Sequence, residues 1–304
     1  MGSERVHHRV RGRRVKALGM NGAMAKVAVA LAALAAWSGM AREAWERGSI
    51  ALLDGVPWVF TVQDDGTASI QGGHACGDVV VPASIGCYPV TSISRRAFFN
   101  CSGMTSVAVP AGVGRIGDSA FEGCSGLSSV TLPDGVTDIG WYAFRNCTGL
   151  SSVTMPDSVT NLAGYVLEGC SSLTAVTLPR GVEALPAGLF RRCTGLASVS
   201  IPDSVKDIQV TAFYGCSGLA SVVVPNGVTN IGHGAFAACT GLASAMIPDS
   251  VLCLDGAFYG CTGLKTLHVP ASWAGTRMPE TAGIPEDCTI MFGDAPPPET
   301  AGTP

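Results

Sequence analysis

The sequence predicts a repeat solenoid, in which successive coils of the chain stack on one another, and three observations point to this fold. Proline recurs every 23 residues, at positions 110, 133, 156, 179, 202, 225 and 248. Cysteine keeps the same spacing, at positions 101, 124, 147, 170, 193, 216 and 239. The chain is also 47% hydrophobic, and this content is too high for a disordered chain. Its 39 glycines are available for the turns that a stack of coils needs. A fixed period of about 20 to 50 residues is the signature of stacked repeats.

Residues 1–41 are predicted to be a basic head followed by a signal peptide. Residues 1–26 contain seven arginines and lysines against one glutamate, and an apolar stretch from Val27 to Trp37 leads into small residues before Arg42. This order is typical of a secretory signal. The apolar stretch is shorter than the roughly 20 residues of a spanning helix. We therefore expect a secreted or cell-surface protein with no membrane span in the mature chain. An uncleaved N-terminal membrane anchor and a buried helix are the alternatives.

The remainder of the chain is acidic. From Arg42 onward it carries 12 basic and 22 acidic residues. Such a surface repels the phosphate backbone of nucleic acid, so nucleic acid is not an expected partner.

Residues 42–97 do not follow the period and are predicted to form an N-terminal β cap with a first irregular coil. The segments Trp58–Val62 and Thr67–Ile70 have the composition of strands, and the sequence between them favours a tight turn. A stack of coils needs such a cap because its first coil otherwise exposes the apolar core and an unpaired strand edge.

Residues 98–270 are predicted to be the regular coils. Side chains alternate along a strand, so Val130 faces the core while Ser129 and Thr131 face solvent. Proline then ends the strand, a second extended piece follows, and a Gly-x-x-Ala-Phe-x-x-Cys stretch is predicted to be a helical turn. Coils stacked about 4.8 Å apart bring equivalent residues into contact and bury what no single repeat buries alone. The most regular apolar columns are Leu127, Leu150, Leu173, Leu196, Leu219 and Leu242, and Phe121, Phe144, Leu167, Phe190, Phe213 and Phe236.

The repeat resembles the 23-residue leucine-rich repeats of the BspA-like, treponemal type, with the pattern C-x-x-L-x-x-V-x-[LVI]-P-x-x-V-x-x-I-G-x-x-A-F-x-x-C. The resemblance extends from Ala97 to Pro270. It departs at Leu167, at Leu185-Pro186 and near Cys253, where the stack is expected to bend. It implies a right-handed stack of coils with short strands and helical turns. It also implies bacterial surface or secreted proteins that bind other proteins, often in adhesion, with no catalytic residues.

Most of the 12 cysteines are predicted to be buried thiols. A disulfide can span neighbouring coils, but equivalent side chains point in parallel, and free cysteine is among the most buried residue types. This column contains Cys101, Cys124, Cys147, Cys170, Cys193, Cys216, Cys239 and Cys261. Cys76 and Cys87 in the cap are different, and a disulfide between them is left open because an exported protein meets oxidising conditions. The spacing of Cys253 and Cys288 predicts nothing about their pairing.

The expected recognition surface consists of outward strand positions. The candidate protein-binding residues are Ser129, Thr131, Ser152, Thr154, Thr177, Ser198, Ser200 and Ser221. They lack the tryptophan, tyrosine and arginine that usually dominate binding energy. The better aromatic candidates lie on the opposite side and are Trp141, Tyr142, Tyr165, Tyr214 and Tyr259.

The sequence contains no motif of a nucleophilic, metal-dependent or phosphate-binding enzyme. We therefore expect a non-enzymatic, exported module without a cofactor that binds protein ligands in adhesion or in contact with host or neighbouring cells. The alternative is a structural envelope scaffold without a dedicated ligand. Residues 271–304, which include Pro296-Pro297-Pro298, are expected to form a C-terminal cap and a disordered tail.

Overall fold

A computed structural model of the protein describes residues 50–53, 56–73, 75–252, 254–274 and 282–293. The predicted signal peptide, the first residues of the cap and the predicted disordered end after residue 293 lie outside these ranges. Within them, no helix is long and apolar enough to cross a membrane.

The described chain consists of short strands joined by turns, with a single-turn 3₁₀ helix at Ala271–Trp273. In the cap and first coils the strands are β1 (Ile50–Leu53), β2 (Val56–Val62), β3 (Ala68–Gly73), β4 (Gly77–Val80), β5 (Ser84–Ile85), β6 (Tyr88–Ile93), β7 (Met104–Ala108) and β8 (Arg115–Ile116). Then come β9 (Ser129–Thr131), β10 (Asp138–Ile139), β11 (Ser152–Thr154), β12 (Asn161–Leu162), β13 (Ala175–Thr177) and β14 (Ala184–Leu185). The last are β15 (Asp207–Ile208), β16 (Ser221–Val223), β17 (Asn230–Ile231), β18 (Ser244–Met246), β19 (Thr266–Val269) and β20 (Thr289–Phe292).

The hairpin predicted in the cap is confirmed as the antiparallel pair β2 and β3. Strand β1 adds to its outer edge and was not predicted. On the other side, β3 pairs in parallel with β6, and β6 pairs in turn with β8 of the next coil. The cap therefore pairs with the edge of β6, whereas β4 lies at the edge of its own sheet.

Each coil contributes to two columns of parallel strands. The first column runs through β4, β7, β9, β11, β13, β16, β18, β19 and β20, and the second runs from β6 through β8, β10, β12, β14, β15 and β17. Through most of the array the register is 23 residues, so Val153 lies opposite Val176 and Asp138 opposite Asn161. Hydrogen bonds join the columns in segments, and residues 198–200 are not part of a strand.

The second column breaks between β12 and β14, at the departure Leu185-Pro186. In neighbouring coils the residue at the proline position donates its backbone N–H to the preceding coil, as Ala163 does to Ile139 and Gln209 to Leu185. Pro186 has no N–H, and the ladder therefore lacks this bond. The departure at which the stack was expected to bend is thus a place where its second strand column is interrupted.

The stretch predicted to be a helical turn is a run of tight turns, so that prediction was wrong. Two residues in each coil are left-handed, such as Ser119 with φ of 54° and Gly123 with φ of 76°. Backbone N–H groups alternate in direction: Phe121 donates 2.8 Å to Ala143 of the next coil, whereas Cys124 donates back to Phe121. Because every second N–H reaches the next coil, these turns also join the stack.

The apolar columns form one continuous core. Phe98, Phe121 and Phe144 form one stacked run and Phe190, Phe213, Phe236 and Phe258 another, with ring centroids 5.1 to 5.5 Å apart. Leu167 separates the two runs and is itself fully buried. The valine column is less uniform, because Val153 is buried while Val130, Val176 and Val199 are half-buried.

Candidate binding surface

The outward side chains of the first strand column form a surface that we call the strand face. All eight residues predicted to bind protein are exposed on it. The register of the strands brings those in β11 and β13 into line, since Ser152 lies opposite Ala175 and Thr154 opposite Thr177. Each central coil therefore presents two small, uncharged side chains.

The strand face changes character toward its C-terminal end. The line that begins with Thr131 and Thr154 continues through Val223, Met246, His268 and Met291. Val223 and Met291 are exposed. Strand β20, which supplies Met291, was not predicted. Ile290 lies 23 residues after Leu267, and this spacing indicates one more coil.

Charged groups lie at the two ends of the strand face. At the N-terminal end, Asp78 accepts hydrogen bonds from Ser106 at 2.5 Å and Thr105 at 2.9 Å, and these bonds lower the pKa of its carboxyl. At the C-terminal end, Lys265 pairs with Asp287. The eight central residues carry no charge, so any contact there depends on shape and on hydrogen bonds from hydroxyl groups.

The turns carry aromatic side chains in neighbouring coils. The Tyr142 and Tyr165 rings stack with centroids 5.4 Å apart, and Trp141 lies 6.2 Å from each of them. Trp141 remains 48% exposed and Tyr259 73% exposed. Of the five aromatic candidates, these two present the most surface.

Between these aromatics runs a ladder of charged side chains. Glu168 lies 2.9 Å from Nε of Arg145 and 3.2 Å from Nη1 of Arg191, and Arg145 also reaches Glu122 at 3.3 Å. The Arg145 Nε contact is an ion pair without the alignment of a hydrogen bond. Opposite charges of neighbouring coils thus pair laterally, and because Glu168 is buried the ladder belongs to the body of the stack.

The cysteine column is buried, as predicted, from Cys124 to Cys261, and Cys101 at its start is half-buried. Cys76 and Cys87 are both free and exposed, so the disulfide left open for the cap is not formed in the structure. Cys76 precedes β4, and Cys87 lies in the hairpin after it.

Other chemically active groups are dispersed among the described residues. There, no three histidine, cysteine or acidic side chains come together as a metal ion requires. His233 lies 3.7 Å from Asp255, and both side chains are largely exposed.

The chain resembles several solved bacterial proteins. A leucine-rich repeat protein from Bacteroides ovatus is 24% identical, covering 81% of this chain and 79% of that one, with a TM-score of 0.49. The leucine-rich repeat protein of T. pallidum is 26% identical over 78% of this chain and 97% of its own, with a TM-score of 0.38. A leucine-rich cell surface protein from Faecalibacterium prausnitzii is 25% identical over 81% and 95%, with a TM-score of 0.36. No curated protein matches the chain.

The repeats themselves match a family profile. The profile of the BspA type leucine rich repeat region matches six copies, over residues 91–220 and 183–277. These ranges overlap and together cover more than half of the 304 residues. The chain therefore belongs to the BspA-type leucine-rich repeat family.

Proposed function

We propose that this protein is an exported, non-enzymatic module that binds other proteins through its strand face, in adhesion or in contact with host or neighbouring cells. One observation carries the proposal: the eight candidate residues are all exposed, and the six of them that belong to strands lie in the register of the stack. A solenoid of this family builds an extended surface of a kind that suits recognition of another protein.

Export is the second part of the proposal, and it is supported by the signal-like order of residues 1–41. The test is fractionation of a bacterial culture together with sequencing of the mature N-terminus. We expect the protein at the surface or in the medium, beginning near Arg42. An intact basic N-terminus in the cytosol would contradict both export and adhesion.

Binding is tested by placing a bulky charge on the strand face. The full mature chain is used to capture proteins from surface extracts of host and neighbouring cells, and captured partners are then titrated singly. Thr154→Arg should weaken binding of a true partner by at least about tenfold, because the guanidinium blocks close approach at the centre of the face.

Thr229→Arg is the matched control. Thr229 is also an exposed threonine, but it lies just before β17 of the second strand column. The control should bind as the unsubstituted protein does. Equal loss in both variants, or loss in neither, would show that the strand face is not the contact surface.

A structural envelope scaffold is the second candidate, and the small, uncharged side chains of the strand face favour it. A scaffold is expected to yield only self-association. Sedimentation of the purified chain separates the two, because a binder captures a different protein whereas a scaffold forms concentration-dependent assemblies of itself.

A further inference from the structure

An open groove lies beside Trp141, away from the strand face, and nothing in the proposed protein contact uses it. Its volume is about 400 Å³, within the range of about 300 to 1,000 Å³ common for small-ligand sites. The groove is formed by the second strand column over three coils. Its principal side chains are those of Arg115, Asp118, Asp138, Trp141, Thr160 and Asn161.

Trp141 forms a fixed aromatic wall of this groove. A Cβ on Gly164 of the next coil would lie 2.5 Å from Cζ3 of the indole, so the ring packs directly against backbone that only glycine leaves open. The backbone N–H of Trp141 donates 3.0 Å to the carboxylate of Asp118. The indole is thus held from behind while 48% of the residue stays exposed.

The opposite wall is polar and already oriented. Asn161 donates 2.8 Å to one carboxylate oxygen of Asp138, and Thr137 donates 2.6 Å to the other. The Thr137 and Asn161 hydrogen bonds and the nearby Arg115 lower the pKa of Asp138, so that it stays ionised at neutral pH. Carboxylate and amide oxygens accept hydrogen bonds, and the guanidinium of Arg115 and the remaining amide N–H of Asn161 donate them.

A flat aromatic ring beside planar polar groups fits one ligand chemistry in particular. The face of a pyranose ring presents C–H groups that pack on an indole, and its hydroxyls each donate and accept hydrogen bonds. The groove carries two carboxylates and one guanidinium, a charge that disfavours acidic sugars and phosphates. We propose that this groove binds a neutral hexose unit of a glycan, with Trp141 under the ring and Asp138, Asn161 and Arg115 on its hydroxyls.

The stack contains an internal comparison for this site. Asp207 and Asn230 form the same pair as Asp138 and Asn161 three coils further on, with a contact of 2.6 Å. Val210 occupies the position of Trp141 there and is also 48% exposed. The second location therefore has the aspartate–asparagine pair without the aromatic wall, and alanines at 184 and 187 stand there in place of Arg115 and Asp118.

This comparison supplies the variants for the test. Trp141→Val copies a residue that the fold already accepts at the equivalent position. Asn161→Ala and Asn230→Ala remove the same hydrogen bond in different coils, so they share any structural effect and differ only in whether they touch the groove.

The experiment is titration of the mature full-length chain with a panel of neutral oligosaccharides built from glucose, galactose, mannose or N-acetylglucosamine, by calorimetry and ligand-detected NMR. Choline chloride serves as a cationic probe for the indole alone. We expect at least one neutral oligosaccharide to bind. Trp141→Val should weaken that binding at least about tenfold, as expected for losing a stacking platform. Asn161→Ala should also weaken it, while Asn230→Ala should leave it unchanged.

Several outcomes would overturn the proposal. One is a panel in which no saccharide binds at concentrations up to about 10 mM, because a dissociation constant above that value is too weak for a functional site. Others are saccharide binding that survives Trp141→Val, equal effects of the two asparagine variants, and binding of choline without any saccharide. None of these results bears on the strand face, so the protein contact proposed above is tested separately.

Discussion

Each buried cysteine of the column donates its thiol proton to a backbone carbonyl of the preceding coil. The acceptor is a phenylalanine carbonyl in most coils, as for Cys124 and Phe98 at 3.0 Å, and Leu167 for Cys193 at 3.1 Å. Burial raises the pKa of Cys170 to about 12. A buried thiol with this pKa is a poor nucleophile at neutral pH, because the thiolate is the reactive form.

Thiol labelling tests this arrangement residue by residue. In native protein at pH 8, iodoacetamide should modify the exposed Cys76 and Cys87 within minutes and leave Cys124 to Cys239 of the column unmodified. Peptide mass spectrometry before and after denaturation measures both groups. Rapid modification of Cys170 or Cys193 in the folded chain would show that the column is not core.

The raised thiol pKa values also predict a loss of stability in alkali. Well below pH 9 the thiols of Cys170 and Cys216 are neutral in both the folded and the unfolded chain, so the stabilisation is fully present. As the pH rises from about 9 toward 12, the unfolded chain loses these protons while folded Cys170 and Cys216 retain them, and the free energy of unfolding falls. Urea unfolding at pH 7.5, 9 and 10.5 should show this decline. Cys170→Ala should show a shallower decline, and a slope equal to that of the unsubstituted protein would contradict the assignment.

At the scale of one element, the ladder around Glu168 joins three turns. Its carboxylate faces two half-buried arginines, Arg145 and Arg191, which in turn lie 5.2 Å from the rings of Tyr142 and Tyr214. Removing the central charge leaves the partly desolvated guanidinium of Arg191 without its carboxylate and leaves Arg145 with Glu122 alone.

Glu168→Gln should therefore lower the free energy of unfolding by about 1 to 2 kcal/mol, an amount reduced by the partial exposure of the arginines. Asp157→Asn is the control, because Asp157 and Arg180 form an ion pair that is largely exposed. Its effect should stay within about 0.5 kcal/mol. Chemical denaturation measures the free energy of unfolding of both variants. Equal losses would show that Glu168 is as exposed to solvent as Asp157.

The core columns predict unequal costs for two substitutions. Phe190→Ala should cost about 3 to 5 kcal/mol, because it removes a fully buried ring next to Phe213 and Leu167. The sequence alone predicts a cost of the same order for Val176→Ala. Its half-buried side chain reduces the expectation to about 1 kcal/mol. Thermal melting distinguishes them, and a larger loss for Val176→Ala would mean that the register is misassigned.

At the scale of the whole molecule, each coil contacts mainly its two neighbours. Deleting residues 194–216 removes one full period and joins Cys193 to Ser217, so every column continues across the junction. Stability in such stacks is approximately a sum of repeat and neighbour terms. We expect a folded protein with one cooperative transition and a lower melting temperature.

Deleting only residues 194–205 is the control. It removes about half a period and places strand positions against turn positions across the junction, so the C-terminal coils should lose cooperative folding. Circular dichroism and protection of the column thiols measure both deletions. If the two deletions proved equally stable, stacking register would not be what holds the molecule together.

The sequence by itself determined the period, the apolar columns, the cap hairpin and the burial of the thiols. Each of these depends on spacing along the chain, since a residue repeated every 23 positions must meet its equivalent in the next coil. The outward strand positions were predictable for the same reason, because side chains alternate along a strand.

Only the tertiary structure decided the features that depend on which residue of the neighbouring coil a given residue contacts. The left-handed turns replace the predicted helical turn because their N–H groups bond to the next coil. Pro186 breaks the second column because its missing N–H would have faced Leu162. Trp141 gains a polar wall from Asp138 and Asn161; the repeat places these two opposite each other, but only the fold brings the indole into the same groove. Local periodicity states which residues recur, whereas contacts between coils depend on the single residues that depart from the repeat.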